Sequence, residues 1–120
     1  MDELNILISR LMIFEELRFD CMCRDIGHEP VSAFWTDFSA AEFYGEEAVR
    51  ETYEDALKEC EGDVEFLAEL TLVLNWKIWD LYKEDEEMAK LYEELWKKHD
   101  SFCWSTLKGE ESRRYFEITD

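Results

Sequence analysis

The sequence predicts an all-α fold, a compact four- to five-helix bundle in a single domain. Apolar residues recur at intervals of three and four through the long segments, which is the period of one helical face. Proline occurs once, at Pro30, and glycine four times, at Gly27, Gly45, Gly62 and Gly109, so the chain is interrupted rarely and at well-separated places. That spacing is unlike the frequent turns that many short strands need. Five Trp, five Tyr and eight Phe give the 120 residues a full core and set the chain apart from acidic disordered sequences, which are poor in aromatics.

The first helix starts at Asp2 or Glu3, and its stripe is Leu4, Leu7, Ile8, Leu11, Phe14, Leu17 and Cys21. Ile6, Met12, Ile13, Phe19 and Met22 fall off that stripe, so the segment is buried on more than one side or is partly β in its first turns. Met12 offers a second translation start, one that leaves Leu4 to Leu11 dispensable. Gly27-His28-Glu29-Pro30 stops the helix, because Pro30 biases Glu29 away from helical geometry. The region 1–30 is thus an N-terminal helix and turn.

The region 31–62 reads as an aromatic loop followed by an acidic helix. Phe34, Trp35, Phe38, Phe43 and Tyr44 cluster around Ser39, which is placed to cap a short helix over 40–44, and aromatic clusters of this kind mainly fill cores. Glu46 and Glu47 open the next helix, where carboxylates suit the positive end of the macrodipole. Val49, Tyr53, Ala56 and Cys60 form its inward stripe and Gly62 ends it.

The region 63–108 reads as a helical hairpin. Asp63 caps a helix from Val64 to about Tyr82 that is apolar nearly all round, the mark of a central helix, with Asn75 as the polar residue expected to be buried. Glu84 to Glu87 starts the last long helix, with Met88, Leu91, Tyr92, Leu95, His99, Phe102 and Thr106 on one face, widened by Trp96, Cys103 and Leu107. Lys108-Gly109 stops it. The remainder, 109–120, reads as a C-terminal strap or a last turn of helix anchored by Tyr115, Phe116 and Ile118.

Charge dominates the functional reading. Thirty-one acids stand against thirteen bases, a net charge of −18, where ordinary small domains stay soluble with a magnitude of about 2–8. Residues 31–62 hold nine acids and two bases, the densest acidic stretch. On its helix Glu46, Glu47, Glu51, Glu54, Asp55, Glu59 and Glu61 form an outward acidic surface. Carboxylates one turn apart are about 5–6 Å from one another, close to the crowding of phosphates along a nucleic acid. Such a surface suits a basic partner, such as a nuclease or another nucleic-acid-binding protein. Direct nucleic-acid binding is excluded, since it rests on Lys and Arg neutralising phosphates.

Candidate chemistry is sparse. Cys21, Cys23, His99 and Cys103 are the residue types of a zinc site, but Cys-x-Cys is not the usual spacing, and buried cysteines more often act as small hydrophobes. Cys103 with His99, or Cys23 with His28, has the makings of a nucleophile and base but no visible orienting group. Glu84 to Glu87 is rich enough in oxygen for calcium or magnesium, yet acids at a helix start are already explained by the dipole. The sequence therefore implies no catalytic residue, no metal site and no cofactor. No apolar run reaches the roughly 20 residues of a membrane span, and Met1-Asp2-Glu3 lacks the positive start of an export signal, so no membrane association and a cytoplasmic location with reduced thiols are expected.

The segment Leu74-Asn75-Trp76-Lys77-Ile78-Trp79, the stretch Leu91-Tyr92-x-x-Leu95-Trp96 and the ending Leu107-Lys108-Gly109-Glu110-Glu111 to Tyr115-Phe116-x-x-Thr119-Asp120 resemble small acidic proteins of phages and other mobile elements of gut bacteria. In size and acidity the chain is also similar in type to anti-CRISPR and anti-restriction inhibitors. That resemblance implies a non-enzymatic protein that inhibits a nucleic-acid-handling host protein, as a DNA mimic. The alternative is a helical adaptor or oligomerising module, a homodimer included, that uses an exposed aromatic patch. A small metal-dependent enzyme is the third reading.

Overall fold

The computed structural model describes residue 3 and residues 16–119. The described residues form helices and no strand: α1 over 16–25, α2 (Phe34–Glu42), α3 (Glu46–Glu59), α4 (Val64–Leu81), α5 (Glu86–Thr106) and α6 (Glu110–Thr119). The all-α expectation holds, with six helices among these residues instead of four to five. The additional ones are α2, longer than the short helix expected over 40–44, and α6, a full helix where a strap or a last turn of helix is expected. Leu4 to Phe14 and the second start at Met12 lie outside the described residues.

α4 is the axis of the bundle. Asp63 caps it, accepting from the backbone N–H groups of Glu65 and Phe66 at 3.1 and 3.2 Å, which satisfies two of the donors a helix start leaves free. Leu67, Ala68, Leu70, Leu72, Val73 and Leu74 are buried on several sides, as a helix apolar nearly all round requires. The pairing Phe34–Phe66 at one end and Lys77–Glu42 at the other sets α2 parallel to α4. α3 runs beside α5, joined by Arg50–Glu94 and Tyr53–His99. Consequently the turn after α2 and the turn after α4 share one end of the bundle.

Several side chains sit elsewhere than periodicity suggested. On α1, Phe19 and Cys23 are buried while Leu17 is 57 % exposed and Cys21 is exposed, so the inward stripe is the other one. The cause is Trp35, on which Phe19 stacks with ring centres 5.3 Å apart. Ser39 caps nothing, because α2 already begins at Phe34; its hydroxyl lies inside the helix and accepts from Lys77 at 2.6 Å. Phe34, Trp35 and Phe38 enter the core, whereas Phe43 and Tyr44 remain outside. On α5 the seam closes on Cys103, leaving Phe102 and Thr106 exposed. Asn75 is only half-buried; the buried polar residues of α4 are Glu69, Thr71 and Lys77.

α6 is helical because its apolar residues are three apart and meet α4. Tyr115 and Ile118 are buried, and Tyr115 shares a 2.8 Å hydroxyl hydrogen bond with Thr71. Arg114 donates to a single Glu65 oxygen through Nε and Nη2 at 3.1 and 2.7 Å. Phe116 rests partly exposed against Trp104 and does not anchor the helix.

Candidate functional site

α3 presents its predicted inward stripe intact, with Val49, Tyr53, Ala56 and Cys60 buried. Glu46, Glu47, Glu51, Glu54, Asp55 and Glu59 on α3, and Glu61 in the turn after it, are all exposed. They do not form one uniform surface. Arg50 lies 3.6 Å from Glu46, 3.4 Å from Glu47 and 3.5 Å from Glu94, which offsets the negative charge at the start of the helix.

Glu51, Asp55 and Glu59, each one turn beyond the last, line a groove of about 470 Å³ between α3 and α2. Asp37 faces them from α2, Ala40, Ala41, Ala48 and Ala56 form the floor, and Tyr44, 85 % exposed, stands at one end. The alanines let α2 and α3 approach, so the larger carboxylates project from the edges. Partial burial in this wall raises the pKa of Asp37. Among the described residues, no base forms a salt bridge with Asp37, Glu51, Asp55 or Glu59, and none lines the groove. Glu54 and Glu61 face the other way, into a separate cleft with Lys58, Leu57 and Phe102. Sequence reasoning missed Asp37 and Tyr44, since only the packing of α2 on α3 brings them to the acidic helix.

The thiols and imidazoles have structural occupations. His99 is fully buried on α5 and its Nε2 lies 3.1 Å from the carbonyl of Leu67, so Nε2 carries the proton and donates. Its other nitrogen, Nδ1, is 3.5 Å from the Tyr53 hydroxyl, which donates to it. Cys103 Sγ is 3.6 Å from His99 Nε2, so the structure does bring this pair together. The nitrogen beside the sulfur holds a proton already, however, and cannot take another from the thiol. Burial raises the pKa of Cys103 and lowers that of His99, opposing the thiolate–imidazolium pair that nucleophilic catalysis uses. Cys23 and Cys60 are pushed up to about 12, chiefly by burial.

His28 has a different partner from Cys23: its Nε2 lies 2.8 Å from Glu69 Oε1, which also accepts from the Val31 N–H at 2.6 Å. A carboxylate with no exposure needs such donors, because an unpaired buried charge is costly. Among the described residues no three His, Cys, Asp or Glu are gathered so as to hold a metal ion. Glu84, Asp85, Glu86 and Glu87 are exposed, and the Asp85 side chain caps α5 by accepting from the Met88 N–H at 3.0 Å.

No described helix is long and apolar enough to cross a membrane. No protein-family model, curated protein or solved structure matches the chain.

Proposed function

We propose that this is an acidic, non-enzymatic binding protein of the cytoplasm that inhibits a nucleic-acid-handling host protein by occupying its basic cleft, in the manner of a DNA mimic. The observation that carries the reading is the groove wall of Glu51, Asp55 and Glu59 opposite Asp37, four carboxylates on two packed helices that no base pairs with among the described residues. Carboxylates repeating every helical turn offer Lys and Arg side chains a row of partners comparable to a phosphate backbone. Glu46, Glu47, Glu54 and Glu61 extend the field around it. With a net charge of −18, encounter with a basic surface is accelerated and encounter with nucleic acid is opposed.

The test is competition. A panel of purified DNA nucleases and DNA-binding proteins is incubated with labelled duplex DNA, and the protein is expected to displace the DNA from its target and to stop cleavage. Converting Glu51, Asp55 and Glu59 together to Lys should weaken displacement at least tenfold, and rising salt should weaken it for the unaltered protein, since exposed charges are screened over about 8–10 Å near physiological ionic strength. Inhibition without loss of DNA binding, or inhibition untouched by the triple reversal, refutes the mimic.

A further inference from the structure

Two cations in this chain are held the same way. Lys77 Nζ lies 4.2 Å from the centre of the Trp35 ring and 3.0 Å from a Glu42 oxygen. The Arg18 guanidinium lies 5.8 Å from the centre of the Trp76 ring, with Nη1 3.7 Å from Asp80. Each has an aromatic face, whose quadrupole attracts positive charge, and a carboxylate beside it.

A third set of the same composition stands on the outer side of α4. Ile78, Trp79 and Tyr82, with Glu93 from α5, line an open cleft of about 360 Å³. Trp79 is 81 % exposed and Tyr82 67 %. Among the described residues, the salt bridges and cation–π contacts of this region go to Glu42, Asp80, Glu86, Trp35 and Trp76, and none goes to Glu93, Trp79 or Tyr82. Arg18 shares the adjoining cleft with Trp79 but lies over Trp76, so among the described residues the third set has the aromatic faces and the carboxylate with no cation lining its own cleft.

We infer that the Trp79–Tyr82–Glu93 cleft receives an arginine or lysine side chain from a basic segment of a protein partner, the cation lying against the two rings and its charge meeting Glu93. The inference rests on the proposed basic partner and names the side chain it inserts. Charge selects this occupant over the others. A second copy brings another −18 to the contact. A purely apolar segment covers Glu93 without a donor, which costs free energy. A guanidinium satisfies both halves of the cleft, stacking flat on a ring while its N–H groups reach the carboxylate, so arginine is preferred to lysine. Trp and Tyr exposed in this way are also the residue types on which binding energy concentrates.

The experiment titrates the isotopically labelled full chain with a tetra-arginine peptide and with tetra-citrulline, its uncharged counterpart, following indole N–H resonances by NMR. Tetra-arginine is expected to move the Trp79 indole resonance and tetra-citrulline to leave it in place. Trp79→Leu and Glu93→Gln, both at surface positions and checked for unchanged helical circular dichroism, should each weaken tetra-arginine binding about fivefold, the factor that about 1 kcal/mol provides. Unchanged affinity in Trp79→Leu, or equal shifts with tetra-citrulline, overturns the inference. So does a Trp79 resonance that moves with protein concentration alone, which places a second copy on the cleft. If tetra-arginine perturbs only Ala40, Ala48 and their neighbours in the α2–α3 groove, the cleft assignment falls while the basic-partner reading stands; no binding at either place refutes both.

Discussion

At the scale of single residues, the buried histidines and Glu69 are held by specific hydrogen-bond partners. His99 is the sharpest case. It donates to the Leu67 carbonyl and accepts from Tyr53, and burial outweighs both the Leu67 hydrogen bond and the attraction of Asp100, so its pKa lies below the ordinary 6.5. The unfolded chain therefore binds this proton first: the contribution of His99 to stability is present above pH 6.5 and is lost as pH falls through the folded value. His99→Gln should be less stable than the parent near neutrality, and the gap should narrow as pH drops below 6.5. Urea midpoints measured at intervals from pH 7.5 to 5 test this, and a gap constant across the series contradicts it. Glu69 has no exposure, and its Oε1 accepts from His28 and from the Val31 N–H. Removing its donor by His28→Ala should destabilise the fold by about 3 kcal/mol, the scale of a broken buried pair, and a loss below about 1 kcal/mol in urea denaturation shows that the Val31 N–H is enough to hold Oε1 without His28. Neither role could be read in the sequence, since His28 and Glu69 are 41 residues apart and meet only through tertiary structure.

At the scale of elements, α6 shows how a short segment becomes a helix by docking. Ten residues are too few for a stable isolated helix, so α6 depends on Tyr115 and Ile118 entering the core beside α4. Ile118→Ala should cost about 2–4 kcal/mol, as other buried isoleucine truncations do, with amide hydrogen exchange in 110–119 rising first. Equal protection in the variant and the parent sinks the docking account. The long helices were legible because capping and periodicity agreed: Asp63 caps α4 as read, and the inward stripe of α3 is intact. α2 and α6 were not, because each is too short for its period to outweigh loop-like composition. α1 misled for another reason. It is apolar on two stripes, and the choice between them was made by Trp35, a residue in a different segment. The acidic site was half legible. The exposure of the seven acids followed from α3's own period, but the split between Glu51, Asp55 and Glu59 on one side and Glu54 and Glu61 on the other depends on which neighbour flanks each face.

At the scale of the whole molecule, the charge that serves binding acts against the fold. The chain carries thirty-one acids against thirteen bases, and many of the described acids form no salt bridge with a described base. Screening should therefore stabilise the protein. Raising ionic strength from about 0.01 to 0.15 M shortens the Debye length from about 30 to 8 Å, and a relief of about 1 kcal/mol at this chain length raises Tm by about 4 °C. The pH dependence follows from the same balance. Burial raises the carboxyl pKa values of Asp20, Asp37 and Glu42, in Glu42 even against the attraction of Lys77. For these groups the folded state binds the proton more tightly. Their contribution is complete below the ordinary carboxyl values of 3.8 to 4.5 and is lost as pH rises through the raised folded values. Mild acid should therefore stabilise, through these three groups and through relief of repulsion, while His99 pulls the other way below pH 6.5. The two are separable in His99→Gln, where the opposing proton is gone: its Tm at low salt should climb as pH is lowered from 7 towards the ordinary carboxyl values of 3.8 to 4.5. A Tm that falls over that interval in the variant, or that is indifferent to salt at pH 7, shows that the surface acids do not repel strongly enough to strain the fold. In that case an excess of negative charge would give no reason to expect the α2–α3 groove to be left open for a basic partner.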